Sequence, residues 1–134
     1  MSTIFSKIVE GSIPCYKVAE NDTFLAFLDI NPLAEGHTLV IPKKETDYIF
    51  DIDDKTFQDY FLFAKKVALA MKKVIDCKKI GIAVIGLEVA HAHIHLVPVN
   101  NVHDLNFSNP KVKFTPEEFK QIAAKINNAY CLLP

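Results

Sequence analysis

The segment Ala90-His91-Ala92-His93-Ile94-His95-Leu96-Val97-Pro98 constrains this chain more than any other. It holds three of the five histidines, at every second position. In an extended strand, alternate side chains project from one face. His91, His93 and His95 are therefore expected to form one imidazole row, with ring-bearing positions roughly 6.6–6.8 Å apart. Ala92, Ile94 and Leu96 face the other way and can be buried. Such a row can serve a phosphate, a metal or a proton relay.

The chain around this strand is short. Its 134 residues are expected to form one domain, 1–134, with room for a real core. Half of the residues are hydrophobic and the net charge is −1, so a nucleic-acid or membrane surface is not expected. No apolar run is long enough to span a bilayer. The N-terminal residues lack the charged and apolar regions of a signal peptide. Cys15, Cys77 and Cys131 are odd in number and far apart, and read as free thiols of a cytoplasmic protein. There is no CxxC pair to support a cysteine zinc site.

Taken in order, residues Thr3 to Val9 are expected to form a short helix with Gly11 near its end. Cys15 to Glu20 reads as a strand, Asn21-Asp22 as a turn, and Thr23 to Ile30 as a second strand. That second strand is apolar on both faces apart from Asp29, which places it centrally. Asn31-Pro32 ends it. Gly36 precedes a third strand, His37 to Ile41, closed by Pro42. After Asp51, Asp53 and Asp54 comes the clearest helix. Phe57, Tyr60, Phe61, Ala64, Val67, Ala68, Met71, Val74 and Ile75 recur at spacings of three and four. Leu62, Phe63 and Leu69 fall off this stripe. They either cover a surface used by a partner subunit or widen the core-facing side.

Ile80 to Ile85 reads as a fourth strand, linked by Gly86 to Val89 to a histidine strand spanning Ala90 to Val99. So short a link favours an antiparallel hairpin. Asn100 to Lys113, including His103, has no periodicity and reads as a surface loop. Thr115-Pro116-Glu117-Glu118 is a capping box with proline at the first helical position, continued by Phe119, Ile122, Ala123 and Ile126. The expected fold class is α+β with a mainly antiparallel sheet.

His-x-His-x-His followed by two apolar residues resembles the signature of the histidine triad (HIT) nucleotide-binding family, in its Hint-like branch. Ile4-Phe5-Ser6-Lys7-Ile8-Val9-Glu10-Gly11-Ser12-Ile13-Pro14 is similar to that family's N-terminal segment. Phe27-Leu28-Asp29-Ile30-Asn31-Pro32 and Gly36-His37-Thr38-Leu39-Val40-Ile41-Pro42-Lys43-Lys44 resemble its second and third strands. The likeness is strongest over 3–99. It implies a HIT-like fold: a five-stranded, mainly antiparallel sheet, a short N-terminal helix, one long helix and a C-terminal helix.

It also implies a hydrolase that cleaves purine nucleoside phosphoramidates, or related phosphoanhydrides, to the nucleoside monophosphate through a covalent nucleotidyl-histidine intermediate. By resemblance His93 is the nucleophile, His91 supports it through its main chain, and His95 stands near the phosphate and the leaving group. Ile4, Phe5, Ile8, Phe27 and Ile30 match an apolar slot for the base. Asp29 matches the carboxylate that takes the ribose hydroxyls, and His37 a histidine beside the phosphate. No cofactor and no metal are implied, and a homodimer is.

Three departures bear on activity. The loop before the triad, Gly86-Leu87-Glu88-Val89-Ala90, is shorter than is usual, and Glu88 stands where a hydroxyl is expected. A carboxylate there repels phosphate unless it is protonated, turned away or paired with a cation. Thr3 and Ser6 occupy the region where some members bind structural zinc through cysteines. His95 stands where related transferases have glutamine, which argues for hydrolysis. Two further readings compete with the enzyme: a nucleotide-binding regulatory module with little turnover, and a three-histidine metal protein.

Overall fold

The structure, a computed structural model, describes residues 2–134. In chain order the elements are α1 (Ile4–Glu10), β1 (Lys17–Glu20), β2 (Phe24–Leu28), β3 (Thr38–Pro42), α2 (Asp54–Val74), β4 (Lys79–Ala83), β5 (Ile94–Val99) and α3 (Pro116–Cys131). Two short 3-10 turns, Ile49–Asp51 and Val102–Leu105, lie between them. The strands form one antiparallel sheet in the order β1-β2-β3-β5-β4. The α+β class and the antiparallel five-stranded sheet are as expected.

Alternation sorts the sheet into two faces. Phe24, Ala26 and Leu28 of β2, Val40 of β3, and Ile94 and Leu96 of β5 pack under α2 and α3. The intervening Leu25, Phe27, Leu39 and Ile41 point to the other face, where Phe5 of α1 joins them. Strand β2 is thus buried along its whole length, as its apolar residues on both faces require.

The helices begin where capping chemistry directs. Thr3, Asp53 and Thr115 each accept a backbone N–H of the first turn, from Ser6, Thr56 and Glu118. The Thr115–Glu118 capping box is reciprocal, with Pro116 in the first turn. Gly11 closes α1 at φ 87°, the left-handed region that glycine enters without a steric penalty. Gly36 also has φ +87°, and a Cβ there would meet Ile75 Cγ1 at 3.1 Å. Only glycine lets the chain turn into β3 beneath the end of α2.

Helix α2 buries Tyr60, Phe63, Ala64, Val67, Ala70 and Met71. Phe63 follows the second of its two readings, a wider core-facing side: it lies in the core against Phe24 and Tyr130, with ring centroids at 5.7 and 6.0 Å. The reason is that α3 packs beside α2, so α2 is covered on two sides and its apolar stripe is wider than one heptad face. Leu62 and Leu69 do stay half exposed.

The histidine strand is also shorter than the alternation predicts. β5 begins at Ile94, so His91 and His93 precede the ladder and only His95 lies within it. The backbone of the missing part pairs elsewhere. His91 N donates to Val89 O (2.8 Å) and Ala92 N to Thr46 O (2.7 Å). β4 ends correspondingly early, at Ala83, which pairs with His95. The segment after Asn100 is not a plain surface loop either. Asn101 and Asp104 form their own capping box, and Val112 N returns to Pro32 O (2.9 Å).

Candidate active site

On the face away from α2 and α3 lies a cleft of about 580 Å³, within the range of small-molecule sites. Ile4, Phe5, Ile8, Phe27, Asp29, Ile30, His37, His93 and His95 all line it. Of the residues singled out from the sequence, only His91 does not. It is fully buried behind the cleft, its ring at 5.8 Å from that of Phe5.

The apolar residues divide by exposure. Phe5 and Phe27 are buried and pack edge to face at 5.7 Å, forming the floor. Ile4 and Ile30 are 49% and 67% exposed, so they stand as open walls with apolar surface to cover.

The three histidines do not form an evenly spaced row. The His93 and His95 rings lean to a centroid separation of 4.9 Å, while His91 is turned inward. Each ring has partners that assign its tautomer. His91 Nε2 donates to the Pro42 carbonyl (2.8 Å), which leaves Nδ1 to accept from Thr3 Oγ1 (3.0 Å). His93 Nδ1 donates to the His91 carbonyl (2.8 Å), so its Nε2 carries the lone pair. Leu33 N donates to His37 Nδ1 (3.0 Å), so His37 bears its proton on Nε2 and gives it to His95 Nδ1 (3.0 Å). His95 therefore presents Nε2–H.

Among the described residues no buried side-chain nitrogen or oxygen lacks a partner. His93 Nε2 and His95 Nε2 have no protein partner and open to the cleft. It thus holds one bare imidazole nitrogen beside one imidazole N–H.

Burial favours the neutral form of His37, His95 and His91. Burial lowers His37 to about 3, helped by the neighbouring His95. Burial likewise lowers His95 to about 4, helped by His93. His91 is lowered too, chiefly by burial, against the opposing pull of its bond to Pro42 and the charge of Glu45. Phe5 packs edge-on to His93 at 5.0 Å and Phe107 to His95 at 4.7 Å, which restrains both ring planes.

Asp29 combines two roles. Its Oδ1 accepts Asn31 N (2.8 Å), the expected turn bond, while Oδ2 lies 3.6 Å from His37 Nε2. Burial raises its pKa, opposed by the Asn31 bond and by the charges of His93 and Lys111.

Metal binding is testable on donor chemistry. Thr3 and Ser6, with Glu45 and His91 beside them, offer two hydroxyls, which are not zinc ligands, so this set does not fit structural zinc. Asp29, His37 and His95 bring three donor atoms within 4.8 Å of one another. However, the Leu33 N–H holds His37 in the tautomer whose Nε2 is protonated. Its lone pair cannot reach a metal without turning a proton against Leu33 N–H. The three triad rings do not converge on one point.

Sequence reasoning missed Phe107 and Lys111, which line the cleft from the segment after β5. Lys111 Nζ is held by the carbonyls of Phe107 (2.5 Å) and Asn109 (3.0 Å). Nothing periodic marks this stretch. His103 is exposed, as expected.

Residues 10–102 match the family model described as the HIT domain. An uncharacterized HIT-like protein of Borreliella burgdorferi is 37% identical over 132 residues, covering 92% of this chain and 95% of that one. An adenosine 5′-monophosphoramidase of Schizosaccharomyces pombe is 36% identical over 130 residues, covering 96% and 98%. The crystal structure of a Hit-like protein from Bartonella henselae superposes with a TM-score of 0.82 at 32% identity, covering 96% of each chain. A Zn-bound histidine triad family protein from Mycobacterium smegmatis gives 0.82 at 29% identity, covering 98% and 94%. With this match across most of its length, the fold it shares with these structures, and the cleft its histidines line, the chain belongs to the histidine triad (HIT) family.

Proposed function

We propose that this protein hydrolyses purine nucleoside phosphoramidates, or related nucleotidyl substrates, through a covalent intermediate on His93. One observation carries the reading: of the imidazole nitrogens that open to the cleft, His93 Nε2 has the lone pair and His95 Nε2 has the proton. In this reading the base lies against Phe5 and Phe27 between Ile4, Ile8 and Ile30, and Asp29 Oδ2 accepts from the ribose.

His93 Nε2 attacks the α-phosphorus. An N–P bond forms as the substrate's P–N bond breaks, and the amine leaves with the bonding pair and takes up a proton. The His95 Nε2–H offsets the charge that develops on the phosphate and the departing nitrogen. The positive charge left on His93 is held by its Nδ1–H bond to the His91 carbonyl. Water then attacks phosphorus, releasing the monophosphate and restoring the ring. The phosphoramidase relatives support the leaving-group class.

The test is rapid mixing with adenosine 5′-phosphoramidate and quenching in base, followed by peptide mass analysis. An adenylate adduct on the peptide containing His93 is expected. An adduct on His91 or His95 alone would refute the assignment.

A second reading, a nucleotide-binding module with little turnover, draws support from Glu88. Its side chain lines the cleft, and its charge adds to the rise in the Asp29 pKa. Tight AMP binding without turnover of any nucleotidyl substrate would favour it.

We further assign a homodimer, formed through the free edge of β4 and the outer side of α2. Ile82, Leu62 and Leu69 are about half exposed there, an apolar cost in water. Sedimentation equilibrium at micromolar concentration checks it, and a monomer mass would reject it. The free cysteines agree with a reducing, cytoplasmic setting. No described helix is long and apolar enough to cross a membrane.

A further inference from the structure

His91 does not line the cleft, yet it is the most completely connected of the three histidines. Its Nε2 is tied to Pro42 at the end of β3, its Nδ1 to the cap of α1, and its carbonyl to the His93 ring. The bond at Nδ1 continues outward. Thr3 Oγ1 gives its proton to His91 and accepts Ser6 N–H (3.0 Å). Ser6 Oγ donates to Glu45 Oε1 (2.6 Å), and the same carboxylate oxygen accepts Thr3 N–H (3.1 Å). A carboxylate can only accept, so the Ser6 proton is committed to Glu45. The Thr3 hydroxyl then has two acceptors in reach, His91 Nδ1 at 3.0 Å and Ser6 Oγ at 3.3 Å, and the nearer is His91.

We propose that Thr3, Ser6 and Glu45 are positioning residues for the reaction: they lock the His91 ring and, through its carbonyl, hold the proton of His93 on Nδ1. The proposal rests on the nucleophile reading of His93 given above. The consequence is specific. His93 reacts only while its proton stays on Nδ1, because the other neutral tautomer has no lone pair at Nε2. That tautomer is held by one carbonyl, and the carbonyl belongs to a residue whose ring orientation depends on Thr3. Without the Thr3 hydroxyl, Nδ1 is left with Ser6 Oγ at 3.5 Å, whose proton Glu45 holds at 2.6 Å, so the ring must turn, take a proton or draw Ser6 from Glu45, and the His91 backbone moves with it. The same cap starts α1, whose Phe5 packs on both the His91 and His93 rings. Nucleophile and base slot are thereby set by one network that never touches the substrate.

The chain can be cut at three places. Thr3→Val removes the hydroxyl and also the helix cap. Ser6→Ala spares the cap, which uses the Ser6 backbone, and cuts the link to Glu45 together with the longer Ser6 Oγ contacts to Thr3 Oγ1 (3.3 Å) and His91 Nδ1 (3.5 Å). Glu45→Gln keeps the shape and removes the charge. With adenosine 5′-phosphoramidate, Thr3→Val should lower kcat roughly five- to tenfold at unchanged KM, the effect of losing one buried hydrogen bond in the reactive state. Ser6→Ala and Glu45→Gln should lower kcat by smaller factors, and Thr3→Ser should restore it.

In parallel, nitrogen NMR of 15N-histidine-labelled protein reads the tautomers directly. Thr3→Val should shift His91 Nδ1 and move part of the His93 population from the Nδ1–H to the Nε2–H form. Unchanged kcat together with unchanged imidazole shifts in Thr3→Val and Ser6→Ala would overturn the proposal. So would a rise in KM alone, which would mean that Thr3 only anchors α1. The NMR arm needs no turnover: a shifted His93 tautomer in a protein that fails to cleave the phosphoramidate would uphold the positioning network while rejecting the reaction.

Discussion

The two faces of the sheet are built on different principles. Under α2 and α3 the contacts are almost entirely apolar, and their placement follows from alternation along strands and three-to-four spacing along helices. On the opposite face a smaller apolar cluster supports four buried histidines, each of them satisfied by a named partner. The first face tolerates local error, since burial is non-directional and spread over many side chains. The second does not. It depends on which nitrogen of each ring holds a proton, and one displaced donor changes the chemistry. Stability and reactivity are thus separable by face, and mutation can test that division.

The largest effect is expected at His93. His93→Ala should cut turnover of adenosine 5′-phosphoramidate by on the order of a thousandfold or more. AMP affinity, measured by calorimetry, should remain, because the proposed base and ribose contacts lie on other residues. Turnover at the wild-type rate would remove His93 from the mechanism. The counterpart on the helical face is Met71→Ala. Met71 is fully buried, and its truncation should cost about 2–5 kcal/mol of stability. Chemical denaturation reads that loss, while kcat per folded molecule should hold. A fall in kcat as large as that in stability would mean that the two faces are coupled.

Acid should expose the same division. His37 and His95 have folded pKa values of about 3 and about 4, held down chiefly by burial, against an ordinary value near 6.5. Between those limits the unfolded chain binds more protons than the folded one, so stability rises with pH there. The contribution is fully present above about 6.5 and is lost as pH falls toward the folded values, at up to about 1.4 kcal/mol per pH unit for each ring. Denaturation at pH 7, 6 and 5 gives the slope. His37→Asn should reduce it, whatever its effect on absolute stability. An identical slope in the variant would mean that His37 is not neutral in the fold.

The next effect in size is on binding. Asp29→Asn should weaken AMP by about 1.5–3 kcal/mol, the worth of a charge-assisted hydrogen bond. The Asn side-chain oxygen can still accept the Asn31 N–H, so the melting temperature should hold. Equal affinity would make Asp29 a turn residue only.

The helical face was legible because its signals are local. The α2 stripe, the Thr115–Glu118 box and the all-apolar β2 each place themselves from neighbouring residues. Phe63 was left between two readings because its burial depends on α3, which the α2 pattern cannot register. The site face was legible only in part. Alternation brought out the three histidines, and the family resemblance supplied the slot residues, but alternation alone overextended β5 toward Ala90. The protons were out of reach. His91 finds its donor 88 positions away, and His37 is held by a backbone N–H that no residue type encodes. Phe107 and Lys111 arrive from a stretch without periodicity, placed by tertiary contacts such as the Val112–Pro32 bond.

Glu88 offers the smallest effect and the sharpest contrast with the helical face. It is exposed at the rim of the cleft, in the short loop before the triad, and its charge raises the pKa of Asp29. Under the proposed function it would also oppose an incoming phosphate. At surface dielectric and separations of several ångströms, one such repulsion amounts to about 1 kcal/mol or less. Glu88→Gln should therefore tighten AMP by about two- to fivefold at low ionic strength, and the gain should shrink as salt screens it. Stability should not change, since the side chain supports neither face. If Glu88 is what holds the protein in a binding rather than a turnover role, the same variant should raise kcat for adenosine 5′-phosphoramidate more than it raises AMP affinity. Equal affinity at low and high salt in wild type and variant would show that the Glu88 carboxylate is turned away from the phosphate, and the short loop alone would then set the rate.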